Sequence, residues 1–150
     1  MGFTMGFHGV TWSSGTPAML PIQMAMRVIG MKVPPNDFPA DYYDGEFYNQ
    51  DSGAPGIPGF KLNANDGHVV TPREIRAALA TYDALLNTEE CLDIVVGPRG
   101  APVRVPMAVV RVFIAEEYEA AWLFEHWTTW IAFLRRAEHA GFNVCRQARQ

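Results

Sequence analysis

The pattern of apolar and polar positions predicts strands and helices in succession along the chain. Over residues 1–12, large apolar side chains alternate with small or polar ones, the period of two that is typical of a strand. A helix is then predicted with Pro17 or Pro21 in its first turn, and it extends to about Ile29, where Gly30 ends it. The candidate N-cap residues of this helix are Ser13, Ser14 and Thr16.

The helix predicted over 17–29 is apolar on nearly all sides. Only Gln23 and Arg27 interrupt its apolar residues in the second half. A helix of this kind is typically buried on more than one face. Its methionines are interpreted as flexible filling of the core rather than as a functional groove.

Residues 70–86 contain the clearest local signal in the sequence. Thr71 is a typical N-cap, Pro72 fits the first helical position, and Glu74 completes a capping box. The apolar positions that follow recur at spacings of three and four as far as Leu86. The sequence therefore predicts an amphipathic helix that begins at Pro72.

The second half of the chain predicts a hairpin, a further helix and a last strand. Two short apolar segments, 92–96 and 103–105, flank a Gly-Pro-Arg-Gly turn, which favours a hairpin. Residues 107–114 are rich in β-branched side chains and fit either a third strand or the beginning of a helix. Helical periodicity extends over 116–140 and ends at a glycine, and 142–146 resemble a strand.

The helix predicted over 116–140 carries an apolar arc wider than half its circumference. Trp122 and Phe133 lie at the edge of this arc. One face of a sheet cannot cover so wide an arc. We therefore expect Trp122 and Phe133 to contact either the first helix or a second copy of the chain, which would make a homodimer.

The overall composition indicates one α+β domain over 1–150, with about three helices packed on a small, mostly antiparallel sheet. The chain has 150 residues, of which 49% are hydrophobic and 19% charged, and a net charge of −4. Mild acidity disfavours nucleic acid as a partner. Without a long apolar run or a basic leader, we expect no membrane association and a cytoplasmic location. The two cysteines, Cys91 and Cys145, are expected to be reduced.

Residues 33–60 form a long connection whose composition differs from the rest of the chain. They contain five acidic residues and neither Lys nor Arg, and aromatic and acidic side chains alternate in their middle. Such a segment favours recognition of a basic protein partner, since tyrosines supply contact area and acids attract positive charge. The alternative, a loop that tucks its aromatics onto the core, is the more common arrangement of a long connection. The candidate partner-binding residues are Tyr42, Tyr43, Asp44, Glu46, Phe47 and Tyr48.

The sequence contains no recognisable catalytic, cofactor or metal motif, and we expect no cofactor or metal. Two weaker alternatives are based on scattered residues. Arg99, Arg104 and Arg111 would form an anion-binding strip for a nucleotide or another phosphorylated ligand, although such arginines more often form a solvated face. In a small hydrolase, the general base would be His126 or His68.

Three separated segments carry a resemblance to a known group of proteins. The motifs NDGxxVTPxE at 65–74, WxxWIxFL at 127–134 and HxGFxV at 139–144 resemble a pattern in small actinobacterial and actinophage proteins. The resemblance implies no activity and supplies no catalytic residues. The sequence as a whole favours a non-enzymatic binding protein, related to phage proteins, that acts through protein contacts. The alternatives are a nucleotide or phosphate-ligand binder and a small hydrolase.

Overall fold

The computed structural model of the protein describes residues 2–7, 10–37, 51–63, 68–96, 100–116 and 119–145. Within these ranges it contains helices and short strands in one α+β arrangement, as the sequence predicts. The strands are β1 (Gly2–Phe7), β2 (Val10–Gly15), β3 (Lys32–Val33), β4 (Ile57–Pro58), β5 (Val69–Val70), β6 (Cys91–Val95), β7 (Pro102–Pro106) and β8 (Phe142–Cys145). The helices are α1 (Thr16–Ile29), α2 (Gly59–Leu62), α3 (Pro72–Thr88), α4 (Met107–Ile114) and α5 (Ala120–Ala137).

The largest sheet has four antiparallel strands in the order β2-β1-β8-β5. The expectation of one strand over residues 1–12 is wrong, because β1 and β2 pair as a hairpin with Met5 opposite Trp12. The sequence carries a sign of this hairpin, since the alternation of large side chains changes phase between Phe7 and Val10. Gly141 precedes β8 with a φ of 74°, and a Cβ there would lie 2.6 Å from the Val70 carbonyl oxygen.

Helix α1 begins without the side-chain cap that the sequence predicts. Ser13 and Ser14 belong to β2, and Gly15 is the N-cap, with extended backbone and no side-chain acceptor for the first helical N–H groups. The helix ends as predicted at Gly30, whose φ of 87° is in the left-handed region. The Gly30 and Met31 N–H groups donate to the last turn of the helix at Arg27 and Met26.

Helix α3 confirms the capping box. The Glu74 N–H donates to Thr71 Oγ1 over 3.3 Å, and the Thr71 N–H donates to Glu74 Oε1 over 2.9 Å. Both side chains are buried. The helix begins at Pro72, as predicted, and continues to Thr88, two residues beyond the predicted end.

The segment 107–114, for which the sequence left two possibilities, is a helix. The predicted hairpin before it is confirmed as β6 and β7, which pair antiparallel from Cys91 opposite Pro106 to Val95 opposite Pro102. α4 then follows β7 directly. Val109, Val110 and Phe113 are buried on one side of α4, so tertiary packing decides its conformation over the β propensity of its side chains.

Helix α5 joins the sheet to the other helices through aromatic side chains. Trp130 contacts the sheet, with ring centroids 4.8 Å from Trp12 and 6.1 Å from Phe142. One turn away, Trp127 contacts Tyr82 of α3 and Phe113 of α4, both at 5.8 Å. The core therefore lies on both sides of α5, which explains the width of its apolar arc.

Candidate protein-binding surface

Three large apolar side chains form an exposed row along α1. Leu20, Met24 and Val28 are 60%, 51% and 57% exposed, and their spacing of four residues places them on one line of the helix. This row is the part of the apolar surface of α1 that stays exposed. The opposite side of α1 is packed in the core, where Met19, Ile22 and Met26 are completely buried. We call Leu20, Met24 and Val28 the α1 row.

A cleft of about 260 Å³ lies at the Val28 end of the α1 row. It forms where the end of α1 meets the end of α3 and the beginning of α4, and its apolar lining includes Leu85, Met107 and Ala108. Its charged lining residues are Glu89, Glu90 and Arg111. The α1 row therefore ends at a cleft with two acidic side chains and one basic side chain.

The middle of α1 is joined to the end of α2 by polar contacts, directly and through Lys32 of β3. Gln23 donates through Nε2 to the Leu62 carbonyl oxygen over 3.0 Å, and Lys32 donates through Nζ to Gln23 Oε1 and Asn63 Oδ1 over 2.6 and 3.0 Å. Burial lowers the pKa of Lys32, and the nearby charge of Arg27 lowers it further. These contacts connect the helix that carries the α1 row to α2 and β3.

The acidic and aromatic residues predicted to bind a partner, Tyr42, Tyr43, Asp44, Glu46, Phe47 and Tyr48, lie outside the described residues. The residues on either side of 38–50 are anchored to the same part of the fold. On the N-terminal side, β3 pairs in parallel with β4, and Asn63 donates through Nδ2 to the Asn36 carbonyl oxygen over 2.6 Å. The connection predicted as irregular over 33–60 thus contains β4 and the beginning of α2 at its end.

On the C-terminal side, Asp51 ties the chain to the beginning of α3. Its carboxylate accepts hydrogen bonds from the Thr71 hydroxyl over 2.5 Å, the Gly53 N–H over 2.7 Å and Arg73 Nε over 2.6 Å. Burial raises the pKa of Asp51, but the hydrogen bonds from Thr71, Gly53 and Arg73 outweigh it and hold the pKa below its ordinary value. Asp51 is therefore ionised and paired at neutral pH.

A buried ion pair between Lys61 and Glu74 lies beneath this anchor. Lys61 Nζ is 2.8 Å from Glu74 Oε1, and both side chains are inaccessible to solvent. Lys61 also donates to the Val69 carbonyl oxygen over 2.8 Å, and Glu74 Oε2 accepts from the Ser52 N–H over 3.0 Å. Sequence reasoning identified Glu74 only as a cap and missed Lys61, because the pairing depends on the tertiary fold.

The structure places the predicted anion-binding arginines at different sites. Arg104 lies on β7 and donates through Nε to the Leu86 carbonyl oxygen over 3.1 Å, whereas Arg111 lies on α4 beside the cleft at the end of the α1 row. Arg104 lines a second cleft, between α3 and α5. Arg99 lies outside the described residues. The two described arginines therefore line separate clefts.

The two histidines considered as general bases are packed against aromatic rings. His68 is 1% exposed and meets the Phe60 ring edge-on, with centroids 5.5 Å apart. His126 is half-buried, its ring centroid lies 4.7 Å from that of Trp122, and its Nδ1 is 3.0 Å from the Trp122 carbonyl oxygen. Each of the two histidines thus packs against one aromatic ring.

The two residues predicted at the edge of the α5 arc have different environments. Phe133 is 4% exposed and packs against Phe142 of β8, with ring centroids 5.1 Å apart. It therefore belongs to the core, and not to a surface on which a second copy would dock. Trp122 is 36% exposed and lies near the beginning of α5.

Cys91 is a free thiol, as expected.

Comparison with protein-family models, with curated proteins and with solved structures found no match. The resemblance to small actinobacterial and actinophage proteins therefore stays a prediction from the sequence.

Among the described residues, no helix combines the length and the apolar character needed to cross a membrane. In the same part of the chain, no group of three or more His, Cys, Asp or Glu side chains is arranged to hold a metal ion.

Proposed function

We propose that this protein is a non-enzymatic interaction protein that binds a protein partner through the α1 row. The observation that carries the proposal is the exposure of Leu20, Met24 and Val28, each more than half exposed, on one line of a helix whose opposite side is packed in the core. Exposed apolar side chains that lie together mark interaction surfaces more often than single ones do. From Leu20 to Val28 the row extends over eight residue steps, about 12 Å along the helix axis.

An amphipathic helix is the partner element that fits such a row best. Apolar residues at spacings of three and four on the partner would lie along Leu20, Met24 and Val28, as in helix-in-groove recognition. The cleft of about 260 Å³ at the Val28 end has room for one anchoring side chain of that helix.

The charges at the cleft favour a basic residue at that end of the partner. Glu89 and Glu90 contribute two negative charges to its lining and Arg111 one positive charge. Residues 33–60, with five acids and no base, add negative charge to the molecule. Complementary charge steers association and makes its rate sensitive to salt, so we propose a basic partner.

The acidic and aromatic segment around Tyr42, Tyr43 and Tyr48 is proposed as a second contact with the same partner. Its support is the anchoring of the chain on both sides, at Asn36 and Asp51. Anchored ends reduce the entropy that a loop loses when it docks. Replacing the three tyrosines with serine should weaken binding and leave the stability near that of the wild type, whereas a large loss of stability with intact binding would identify them as core anchors.

The contribution of the α1 row to binding can be estimated from its exposure. Complete burial of one such side chain contributes about 1.5–3 kcal/mol. Since each of the three is between 51% and 60% exposed, docking buries roughly half of this, about 2.5–5 kcal/mol for the row. This corresponds to a factor of roughly 70 to 5,000 in the dissociation constant.

A comparative capture experiment tests the proposal. Wild-type protein, Met24→Glu and the control Val95→Glu are immobilised and exposed to extract of the native host, and the retained proteins are quantified by mass spectrometry. Val95 is the matched control because it is also apolar and 65% exposed but lies on the β6–β7 hairpin. A protein retained by the wild type and the control, and lost with Met24→Glu, supports the proposal.

Two other outcomes contradict it. If the same proteins are retained by all three forms, the α1 row does not contact a partner. If Met24→Glu instead halves the mass measured by light scattering, the row is a contact between two copies of the chain. Met24→Glu and Val95→Glu both change exposed positions, so their free energies of unfolding should stay within about 0.5 kcal/mol of the wild type.

A further inference from the structure

A second cleft, of about 330 Å³, lies between α3, β7 and α5 on a different part of the molecule from the α1 row. Its apolar walls include Leu86, Val103 and Ile131, with Tyr82 and Trp127 behind them. Two guanidinium groups, those of Arg104 and Arg135, also line it. The cleft is thus apolar, with positive charge along its border.

The polar atoms of the wall residues are satisfied within the protein. Trp127 donates through Nε1 to the Tyr82 hydroxyl over 3.1 Å, and the Thr128 hydroxyl donates to the Phe124 carbonyl oxygen over 2.9 Å. Burial raises the pKa of Tyr82, although the hydrogen bond from Trp127 acts in the opposite direction. The walls therefore offer apolar contact to a ligand and little hydrogen bonding.

The two arginines differ in how their charge is compensated. Arg135 forms a bidentate pair with Asp83, with N–O distances of 2.7 and 3.2 Å, which raises the pKa of Arg135. Arg104 donates to the neutral Leu86 carbonyl oxygen, and no carboxylate of the described residues forms an ion pair with it. Asp93 lies opposite Arg104 in the hairpin register without such a pair. Among the described charges at this cleft, that of Arg104 is available to a ligand.

We propose that this cleft binds a small amphipathic monocarboxylate, whose apolar body lies against Leu86, Val103 and Ile131 and whose carboxylate pairs with Arg104. The volume of about 330 Å³ lies at the small end of the range for ligand-binding clefts, which suits a small ligand. A planar guanidinium matches the geometry of a carboxylate. A phosphorylated ligand fits less well, because apolar walls would remove water from a group with two charges without replacing its hydrogen bonds.

Titration calorimetry with octanoate tests the proposal, with 1-octanol and inorganic phosphate as comparison probes. We expect saturable binding of octanoate, weaker binding of octanol and no binding of phosphate. Arg104→Gln should weaken octanoate binding roughly ten- to hundredfold, since a charge-assisted hydrogen bond is lost. The matched control is Arg136→Gln, because Arg136 is exposed on α5 and does not line the cleft.

Each remaining outcome overturns the proposal. No saturable octanoate binding at millimolar concentration means that the cleft is not a ligand site. Equal affinity for octanol and octanoate means that the carboxylate is not recognised. If phosphate binds and Arg104→Gln abolishes that binding, the cleft is an anion site without an apolar component. Equal weakening by Arg104→Gln and Arg136→Gln means a non-specific effect of charge. Val103→Glu, which places a negative charge in the cleft wall, should abolish octanoate binding, and unchanged binding would also contradict the proposal.

Discussion

The buried ion pair of Lys61 and Glu74 allows a quantitative test of how the residues flanking 38–50 are held. Lys61→Met keeps a side chain of similar length, with an apolar stem, but removes the ammonium group. The Glu74 carboxylate then retains only the backbone donors of Thr71 and Ser52. Because both partners are inaccessible to solvent, water does not replace the lost contact, and a buried charge is left without its counter-charge.

Removal of one member of a buried ion pair costs about 3–5 kcal/mol. For a chain of 150 residues, each kcal/mol lowers the Tm by about 2–4 °C. We therefore expect Lys61→Met to lower the Tm by roughly 6–20 °C. The double variant Lys61→Met/Glu74→Gln should lose less stability than the two single variants together, because the neutral glutamine side chain no longer needs a counter-charge.

Urea unfolding followed by circular dichroism measures these free energies, with thermal unfolding as a second readout. Lys32→Met is the matched control, because the ammonium group of Lys32 also donates two hydrogen bonds but the residue is only half-buried. This variant should lower the free energy of unfolding by about 1 kcal/mol. A loss below about 0.5 kcal/mol for Lys61→Met would refute the reasoning, because that is the contribution of a solvent-exposed pair. Strictly additive losses in the double variant would refute it as well.

Three further predictions concern stability. Asp51→Asn should lower the free energy of unfolding at neutral pH. The pKa of folded Asp51 is below its ordinary 3.8, so the wild type keeps the stabilisation by ionised Asp51 above pH 3.8 and loses it as the pH falls further. Acid unfolding curves of the variant should lack that loss. Thr71→Ala should cost about 1 kcal/mol, and its combination with Glu74→Ala should be less than additive in urea unfolding, because both residues support one turn; additive losses would contradict this. Trp122→Ala should cost less than the roughly 3–5 kcal/mol of a buried tryptophan, as Trp122 is 36% exposed, and should leave the mass by light scattering unchanged; a lower mass would identify a self-contact.

Elements with local signals could be predicted from the sequence. The start of α3 depends on Thr71, Pro72 and Glu74, which are neighbours in the chain and act on the same turn. The β6–β7 hairpin and the α5 helix are likewise determined by turn residues and by periodicity within one segment. The α+β class followed from these elements.

The candidate site could not be predicted because its signals are tertiary. Helix α1 has apolar residues on nearly all sides, so its helical wheel has no polar face to indicate that Leu20, Met24 and Val28 point outward. The Lys61–Glu74 pair joins residues 13 positions apart, and neither residue type indicates the other in the sequence. Both features depend on how the helices pack against one another.

Site-specific photo-crosslinking from position 24 tests the central claim most directly. Met24 lies in the middle of the α1 row, and a crosslinking amino acid placed there reacts only with groups in contact with it. We expect a covalent adduct with a different protein in cells of the native host, and no such adduct when the same amino acid replaces Arg136 on the exposed side of α5. The claim is contradicted if position 24 gives no adduct, or only an adduct of twice the mass of the chain.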